Sequence, residues 1–292
     1  MSTGAAIGCP ALQAARARDA TARVPFRVNG IEVGSVARAH LPALRAWPQW
    51  LQADAAQVAL RAETQHLDAA FAQVNAALRA QGLVHAWRDE AFALFDPASG
   101  ARLAAMERAA MRFWGTLTLG AHANGYVADA QGRPTHLWVA RRAPTKATDP
   151  GKHDNLVGGG VPDGQSPWQA LVREGWEEAG LSPAQLQQAR AGSVLGLLRD
   201  IPEGLQHEWL HVFDLPMPAG LVPSNQDGEV AGFECLAVSD ALALAAGDTM
   251  TVDAALVTLD FALRHALIPA PQRQPLQAHL DRLRIRAAVQ AF

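Results

Sequence analysis

The stretch that decides the fold runs Gly158-Gly159-Gly160-Val161-Pro162-Asp163-Gly164-Gln165-Ser166-Pro167-Trp168-Gln169-Ala170-Leu171-Val172-Arg173-Glu174-Gly175-Trp176-Glu177-Glu178-Ala179-Gly180-Leu181. Its first part is rich in glycine and predicts a loop, and its second part predicts a short helix. Ser166 is a favourable N-cap residue, Pro167 suits the first helical position, and Gln169 stands where a capping box takes Glu or Gln. Gly180 can end the helix in the left-handed conformation. The stretch therefore predicts a glycine loop that leads directly into a helix with both ends defined.

Three glutamates of the predicted helix, Glu174, Glu177 and Glu178, share one face. Like charges at this spacing destabilise a helix by about 0.2–0.5 kcal/mol per pair, and the helix dipole disfavours anions in the last turns. Arg173 is placed to pair with Glu177, but no basic residue is placed to relieve the other two. A hard divalent cation would relieve the repulsion, because Mg²⁺ takes carboxylate and phosphate oxygens. A solvated acidic surface is the alternative interpretation.

This stretch resembles the signature of the Nudix hydrolases, G-x5-E-x7-R-E-U-x-E-E-x-G-U, in which U is an aliphatic residue. The matching residues are Gly159, Arg173, Glu174, Glu177, Glu178, Gly180 and Leu181. Two positions depart from the signature, since Gln165 stands where Glu is expected and Gly175 stands where an aliphatic residue is expected. The resemblance implies an α/β fold, a Nudix α/β/α sandwich with a mixed sheet, preceded here by a small α/β N-terminal domain.

The resemblance also implies a metal site. Its ligands would be the carboxylates of Glu174, Glu177 and Glu178 together with the carbonyl oxygen of Gly158. The expected cofactor is Mg²⁺, with Mn²⁺ as the alternative. A bound divalent cation neutralises phosphate oxygens and lowers the pKa of a bound water, so the implied reaction is hydrolysis of a phosphoanhydride in a small-molecule diphosphate.

The candidate catalytic residues are Glu174, Glu178, Glu229 and Arg173. Many Nudix enzymes bring one downstream carboxylate to the metals, so Glu229 is the first choice for the general base and Glu174 is the alternative. An ordinary turn carboxylate is the other interpretation of Glu229. Arg173 is expected to orient Glu177 and the glycine loop rather than to touch substrate.

A basic loop precedes the glycine stretch, and its cations are suited to diphosphate oxygens. The candidates for phosphate binding are Arg142, Lys146 and Lys152. Further candidates for substrate contact are Asn155, Asn124 and Trp209. The alternative interpretation of the cations is a solvated loop, and that of the tryptophan is core packing.

Several segments outside the glycine stretch carry a narrower resemblance. They are Met106–Ala110, Gly120–Tyr126, Arg141–Lys146, Pro150–Asn155, Asp227–Val230 and Asp260–His265. They resemble a Nudix subfamily that has its own N-terminal domain and that is fused to thiamine pyrophosphokinase in some fungi. This implies removal of a phosphate from thiamine diphosphate or its oxidised analogues. Alternatives are a hydrolase of nucleoside diphosphate derivatives such as ADP-ribose, and a non-catalytic sensor that binds a diphosphate; an isomerase is less favoured because no cysteine lies near the stretch.

The chain of 292 residues can form one large or two ordinary domains. We expect a flexible tail over residues 1–20, an accessory α/β domain over 21–112, and the Nudix domain with its C-terminal helices over 113–292. In the accessory domain, Asn29-Gly30 predicts a hairpin over Val24–Ala37. Further predicted elements are helices over 64–78, 102–112, 253–266 and 276–289, and strands over 87–95, 113–127, 137–140, 192–199, 208–215 and 227–236.

Composition limits the partners and the compartment. Hydrophobic residues make up 49% and charged residues 18% of the chain, which is typical of a globular protein. The net charge of −3 gives no case for nucleic acid or an anionic membrane, and no apolar run approaches the ~18 residues that span a bilayer. The first ten residues lack the pattern of a signal peptide, and two cysteines make no disulfide framework. We therefore expect a cytoplasmic protein, either a monomer or a homodimer.

Overall fold

The computed structural model describes residues 9–285. In chain order, the elements of the first part are α1 (Pro10–Ala14), β1 (Arg23–Val28), β2 (Ile31–Ala37), α2 (Leu41–Leu44), β3 (Leu51–Ala53), β4 (Val58–Leu60), α3 (Leu67–Ala80), β5 (Ala91–Phe95), β6 (Arg102–Glu107) and α4 (Arg108–Trp114). The N-terminal domain, β1 to α4, contains a four-stranded sheet in the order β2-β1-β4-β3 and a separate hairpin, β5–β6. Asn29 and Gly30 both have positive φ, which a tight hairpin turn requires, and the predicted hairpin is confirmed.

The core of the N-terminal domain is aromatic at its centre. The rings of Phe26 and Trp114 stack at 4.3 Å, and Phe71 packs edge-on against both at 6.3 and 6.4 Å. Trp114 donates a hydrogen bond from Nε1 to Asn75 Oδ1 at 2.7 Å. Because Trp114 ends α4, this packing anchors α4 to the strands and the helix of its own domain.

The second part of the chain is the sheet domain, β7 to α9. Its elements are β7 (Leu117–Ala128), β8 (Pro134–Arg142), β9 (His153–Asp154), β10 (Val157–Gly160), α5 (Pro167–Ala179), α6 (Pro183–Leu186), β11 (Arg190–Ile201), β12 (Gly204–Pro216), β13 (Val230–Ala237), α7 (Val238–Ala246), α8 (Val252–Arg264) and α9 (Ala270–Leu283). The mixed seven-stranded sheet has the order β11-β12-β7-β8-β13, with β10 paired to β7 and β9 paired to β8. Strands β7 and β12 run parallel, and the other pairs are antiparallel.

Helices cover both faces of this sheet. Alternate residues of β7, Leu119, Ala121 and Ala123, belong to the core beneath α5. On the other face, Leu210 and Val212 of β12 pack in a core with α7, α8 and α9. Successive strand residues point to opposite faces, so the two cores lie on opposite sides of one sheet. The predicted α/β/α sandwich with a mixed sheet, preceded by an α/β domain, is confirmed.

The predicted helix over 102–112 is wrong for residues 102–107, which form strand β6, and only residues 108–112 are helical, in α4. Ala104 and Met106 are buried while their neighbours are partly exposed, and β6 pairs antiparallel with β5. The preceding strand is also shorter than predicted. It begins only at Ala91, because Asp89 has a positive φ of 58° that an extended strand cannot hold.

The two chain ends differ from the sequence predictions in different ways. Within the expected flexible tail, residues 1–8 lie outside the described residues, but Cys9, Ala11 and Ala15 are buried in the core with α7 and α8. The carbonyl of Ala15 accepts a hydrogen bond from Leu198 N at 2.9 Å, which ties this segment to β11. At the other end, α9 begins before the predicted start, and the last residues of the predicted helix over 276–289 lie outside the described residues.

The packing of α5 against α6 explains why residue 175 is glycine. A Cβ atom on Gly175 would lie 2.7 Å from Cδ1 of Leu186. Leu186 is fully buried, so its side chain fills the space that the aliphatic residue of the family signature would need. Gly175 therefore reflects a local exchange of volume between two neighbouring helices.

We expect Gly175→Leu and Leu186→Ala to compensate each other in part. Leucine at 175 should overpack the contact at a cost of about 1–3 kcal/mol, and Leu186→Ala alone should cost about 2–5 kcal/mol. The loss of stability in the double variant should be smaller than the sum of the two single losses by at least about 1 kcal/mol. Urea unfolding of all four proteins measures this coupling, and strictly additive losses would contradict it.

Candidate active site

Helix α5 has the ends that its sequence predicts. Ser166 Oγ accepts a hydrogen bond from Gln169 N at 3.2 Å, and Gln169 Oε1 accepts one from Ser166 N at 2.8 Å, which completes the capping box. Gly180 has φ +66° and closes the C-terminal end. These local signals fix where α5 begins and ends, and hence which face carries its glutamates.

The glycine stretch before α5 is a strand that approaches the helix closely. A Cβ atom on Gly159 would lie 2.2 Å from Cδ of Glu174, so only glycine leaves room for that carboxylate. The backbone N–H of Gly158 donates to Glu178 Oε2 at 2.9 Å. Strand β10 and the carboxylates of α5 therefore form one packed unit.

Two of the three helix carboxylates are buried. Glu174 is 8% exposed and Glu178 is 6% exposed. Burial raises the pKa of Glu174, and the adjacent Arg173 opposes that rise. Burial also raises the pKa of Glu178 well above its ordinary value, and the charge of Glu174 raises it further. The fold thus holds two carboxylates of the same charge together away from water.

Arg173 bridges its own helix neighbours. It donates from Nη1 to Glu177 Oε2 and from Nη2 to Glu174 Oε1, each at 2.8 Å. Within residues 9–285, no three His, Cys, Asp or Glu side chains stand close enough together to hold a metal ion. The chemistry of the donors nevertheless fits a hard cation, because Glu174 and Glu178 present buried carboxylate oxygens that repel each other.

Glu229, the first choice for the general base, lies in an ion-pair cluster. Its carboxylate accepts a short hydrogen bond from Lys146 Nζ and another from Arg88 Nη1 at 2.8 Å. Burial alone would raise the pKa of Glu229, but these hydrogen bonds and charges lower it to about 2. In this arrangement Glu229 is a weak proton acceptor.

The three cations of the basic loop all have partners within the protein. Arg142 donates to Asp154 Oδ2 at 2.8 Å and to the carbonyl of Thr148 at 2.9 Å. Lys152 pairs with Asp149 at 2.7 Å. Lys146 pairs with Glu229, as described above. A phosphate group would have to compete with carboxylates for these side chains.

The remaining candidates for substrate contact lie deeper in the protein. Asn155 donates from Nδ2 to Asn124 Oδ1 at 3.3 Å, and its Oδ1 lies 3.1 Å from His122 Nδ1. Both asparagines are buried and connect the sheet to α8. Trp209 packs at the edge of the core beneath α5. The structure thus places Asn124 and Asn155 in a buried hydrogen-bond network between the sheet and α8.

A cavity of about 250 Å³ opens beside β10, on the sheet face that α8 covers. Its walls contain the backbone of Gly158–Gly160 and four arginines, Arg108, Arg112, Arg142 and Arg199. The acidic and imidazole side chains in its walls are His122, Asp149, Asp154, Glu203, Glu208 and Asp253. Of the substrate-binding candidates, Arg142 alone is part of the lining. Glu174 and Glu178 are not part of this lining; Glu174 packs against Gly159, and Glu178 accepts a hydrogen bond from Gly158 N.

Two acids of the cavity wall share one amide. Gln206 Nε2 donates to Glu208 Oε2 at 2.9 Å and to both carboxylate oxygens of Asp253 at 3.1 Å. Burial raises the pKa of Asp253 to about 6, and the charge of Glu208 adds to the rise. The cavity therefore has an acidic wall as well as an arginine-rich one.

Comparison with known proteins gives the family of the sheet domain. The family model of the NUDIX domain matches residues 118–254, and the model described as a domain of unknown function, DUF4743, matches residues 9–118. Residues 118–254 are a Nudix domain. Nudix hydrolases generally use divalent metals, which agrees with the donor chemistry of α5.

Two named plant relatives support the same family. Nudix hydrolase 24, chloroplastic, of Arabidopsis thaliana is 34% identical over 200 residues, which cover 68% of this chain and 54% of that protein. Nudix hydrolase 20, chloroplastic, of the same plant is 34% identical over 200 residues, 68% of this chain and 53% of that protein. The chain spans about half the length of these relatives. Together with the Nudix domain, they support the prediction of a hydrolase that acts on pyrophosphate bonds.

A solved structure from Deinococcus radiodurans is 26% identical and covers 48% of this chain and 80% of its own, with a TM-score of 0.38. The prediction of a cytoplasmic protein is contradicted, because both plant relatives are named chloroplastic. Within residues 9–285, no helix has the length and apolar character needed to cross a membrane. The link to the thiamine pyrophosphokinase-related subfamily stays a prediction.

We expect the ion pairs of Glu229 to make stability depend on pH. Its pKa falls from 4.5 to about 2 on folding, so its contribution is complete above pH 4.5 and is lost as the pH falls towards 2. Glu229→Gln should lower the free energy of unfolding by about 1–2 kcal/mol at pH 7. The difference from the parent protein should shrink by about half between pH 5 and pH 3.

Urea unfolding at several pH values measures this difference. The matched control is Glu234→Gln, since Glu234 is half-exposed and lies 3.7 Å from its nearest basic partner, His153. The control should change stability little at any pH. A Glu229→Gln difference that stayed constant from pH 7 to pH 3 would contradict the assigned ion pairs.

Proposed function

We propose that the protein is a divalent-cation-dependent hydrolase that cleaves the phosphoanhydride of a small diphosphate to the monophosphate and phosphate. The observation that carries this proposal is the buried pair Glu174 and Glu178, packed against the glycine strand. Repulsion between buried carboxylates lowers stability, so the stability of the helix does not explain why the pair is present. A divalent cation would compensate for that cost and would place its charge beside β10.

We assign the metal-binding role to Glu174, Glu177 and Glu178, with the carbonyl oxygen of Gly158. When bound, Mg²⁺ or Mn²⁺ would neutralise phosphate oxygens and lower the pKa of a coordinated water. Arg173 now holds Glu177 and Glu174 in place by two hydrogen bonds. Its role in the proposal is to position these carboxylates, so it is a positioning residue rather than a catalytic one.

For the general base we keep Glu229 and Glu174 as candidates, and Glu229 needs an activating step. Its pKa is low because Lys146 and Arg88 donate to it. Diphosphate oxygens would compete for these two cations, and release of Glu229 would raise its pKa towards its ordinary value. Binding of substrate would then strengthen the base at the moment when it is needed.

For the substrate we propose thiamine diphosphate or an oxidised analogue. The cavity of about 250 Å³ lies just below the range of about 300–1,000 Å³ that is usual for small-molecule pockets. That size favours a compact diphosphate over ADP-ribose, which carries a second sugar and a base. The acidic wall of Glu208 and Asp253 suits a substrate whose organic part is cationic, as the thiazolium ring of thiamine is.

The direct test is an assay of phosphate and monophosphate release with thiamine diphosphate, oxidised thiamine diphosphate and ADP-ribose, each with and without Mg²⁺. We expect Mg²⁺-dependent turnover of the thiamine compounds, and Glu178→Gln should lower kcat by at least about 100-fold. The control variant is Glu63→Gln, at an exposed position that does not line the cavity, and it should leave kcat unchanged. Unchanged kcat in Glu178→Gln would remove the metal-binding role.

Turnover of ADP-ribose alone would replace the proposed substrate but keep the reaction. Diphosphate binding without turnover of any compound, with or without Mg²⁺, would instead support the non-catalytic sensor. Gly175 gives that alternative no support, because the position of Leu186 accounts for it.

The same residue gives a test that needs no turnover. Without divalent cation, Glu178→Gln should raise the free energy of unfolding at pH 7 by about 1 kcal/mol, because it removes an ionisable group whose pKa is raised by burial beside Glu174. With Mg²⁺, the parent protein should gain thermal stability and the variant should gain much less. Thermal unfolding of both proteins with and without Mg²⁺ measures this, and equal shifts in the two proteins would count against the proposed site.

A further inference from the structure

Helix α4 of the N-terminal domain brings two arginines to the cavity of the Nudix domain. Arg108 and Arg112 are one turn apart on α4, so they share one face. Both line the cavity together with the backbone of Gly158–Gly160. The cavity is therefore built by both domains, although the Nudix model begins only at residue 118.

The two arginines differ in their partners. Arg108 donates from Nη1 to Glu90 Oε2 at 3.0 Å, and its guanidinium lies 5.3 Å from the centre of the Phe92 ring. Arg112 is half-buried, and its side chain makes no hydrogen bond or ion pair with any residue of 9–285. None of its guanidinium nitrogens is fully buried, and the side chain lines the cavity. Arg112 is thus available for an anion in the cavity.

The contact between the domains holds these arginines in a defined position. Just after the glycine strand β10, Asp163 N donates to the carbonyl of Ala91 at 2.8 Å. Arg102 also makes a bidentate pair with the carboxylate of Asp163, at 2.7 and 2.8 Å. A Cβ atom on Gly160 would lie 2.4 Å from Cζ of Phe92. The hairpin β5–β6 is therefore packed directly on the glycine strand.

The turn between β11 and β12 makes a second contact with α4. A Cβ atom on Gly204 would lie 2.2 Å from the carbonyl oxygen of Arg112. The backbone of α4 is thus held against the Nudix sheet at Arg112 itself, the residue whose side chain lines the cavity. A binding group gains affinity when its backbone is fixed before the ligand arrives.

From this geometry we propose that the N-terminal domain supplies two phosphate-binding arginines of the substrate site, Arg108 and Arg112. Arg112, assisted by Arg108, binds phosphate oxygens of the diphosphate, and the guanidinium fork suits such oxygens. The inference rests on the proposed function for the identity of the ligand. It assigns to Arg108 and Arg112 a binding role in the active site, with no part in the proton transfers.

The experiment compares Arg112→Ala and Arg112→Lys with the parent protein, with Arg61→Ala as the matched control. Arg61 is an exposed arginine of the same domain outside the cavity. With thiamine diphosphate and Mg²⁺, Arg112→Ala should raise KM by about 10- to 100-fold, as expected for loss of hydrogen bonds to a charged group. Arg112→Lys should raise KM less than Arg112→Ala does. The control Arg61→Ala should leave KM unchanged.

Binding is measured separately by titration calorimetry with inorganic pyrophosphate in the absence of divalent cation. Arg112→Ala should weaken this binding by about 10-fold or more, while Arg61→Ala should not. If Arg112→Ala proves too unstable, judged from thermal unfolding, Arg112→Gln takes its place in both measurements.

The outcomes separate the two proposals. If the parent protein turns over substrate and the position 112 variants keep the parent KM and pyrophosphate affinity, the inference fails and the proposed function stands. If the parent protein turns over nothing but binds pyrophosphate through Arg112, the inference stands and the proposed function fails. If the parent protein binds no pyrophosphate and the variants show no change in KM, the inference is overturned.

Discussion

Close packing on both faces of the glycine strand β10 is the constraint on which the rest of the site depends. On one face the carboxylate of Glu174 occupies the space that a side chain on Gly159 would need, at 2.2 Å from its Cβ position. On the other face Phe92 occupies the space that a side chain on Gly160 would need, at 2.4 Å. A single methyl group at either position would separate the strand from α5 or from the N-terminal domain.

This packing explains how charges that repel can be kept together. The capping box and Gly180 fix the ends of α5, and burial against β10 fixes its rotation, so Glu174 and Glu178 are held inward. Arg173 offsets part of the repulsion by sharing its guanidinium between Glu174 and Glu177. Among the hydrogen bonds of residues 9–285, the carboxylate of Glu178 accepts only the one from Gly158 N. Proteins commonly give up stability in this way at sites where another group is to bind.

The parts of the fold that could be predicted are those decided by residues close together in the chain. The hairpin at Asn29-Gly30 and both ends of α5 follow from local backbone chemistry, and the structure has them where the sequence indicates. The prediction of a helix over 102–112 was wrong in its first part because the apolar residues there fit both the helical period of 3.6 residues and the strand period of 2 residues. Pairing with β5, a tertiary interaction, decided in favour of a strand up to Glu107.

The candidate site could be predicted only on the side of α5. Its glutamates follow one another along the chain, so their spacing alone places them on one face. The cavity residues Arg112, Arg199, Glu208 and Asp253 come from separate elements that the sheet brings together, and no spacing in the sequence relates them. The pairing of Glu229 with Lys146, across 83 positions of the chain, is equally invisible to pattern analysis.

The cross-domain contacts give the N-terminal domain a defined electrostatic role beside the Nudix domain. Arg88 neutralises Glu229, and Arg102 neutralises Asp163 at the end of the glycine stretch. Arg108 and Arg112 add positive charge to a cavity whose other wall holds Glu208 and Asp253. A Nudix domain without its neighbour would keep the carboxylates of α5 but only two of the four cavity arginines, Arg142 and Arg199. The cavity would then hold five acidic side chains and two arginines, so the proposed binding of an anionic diphosphate depends on the positive charge that the N-terminal domain adds.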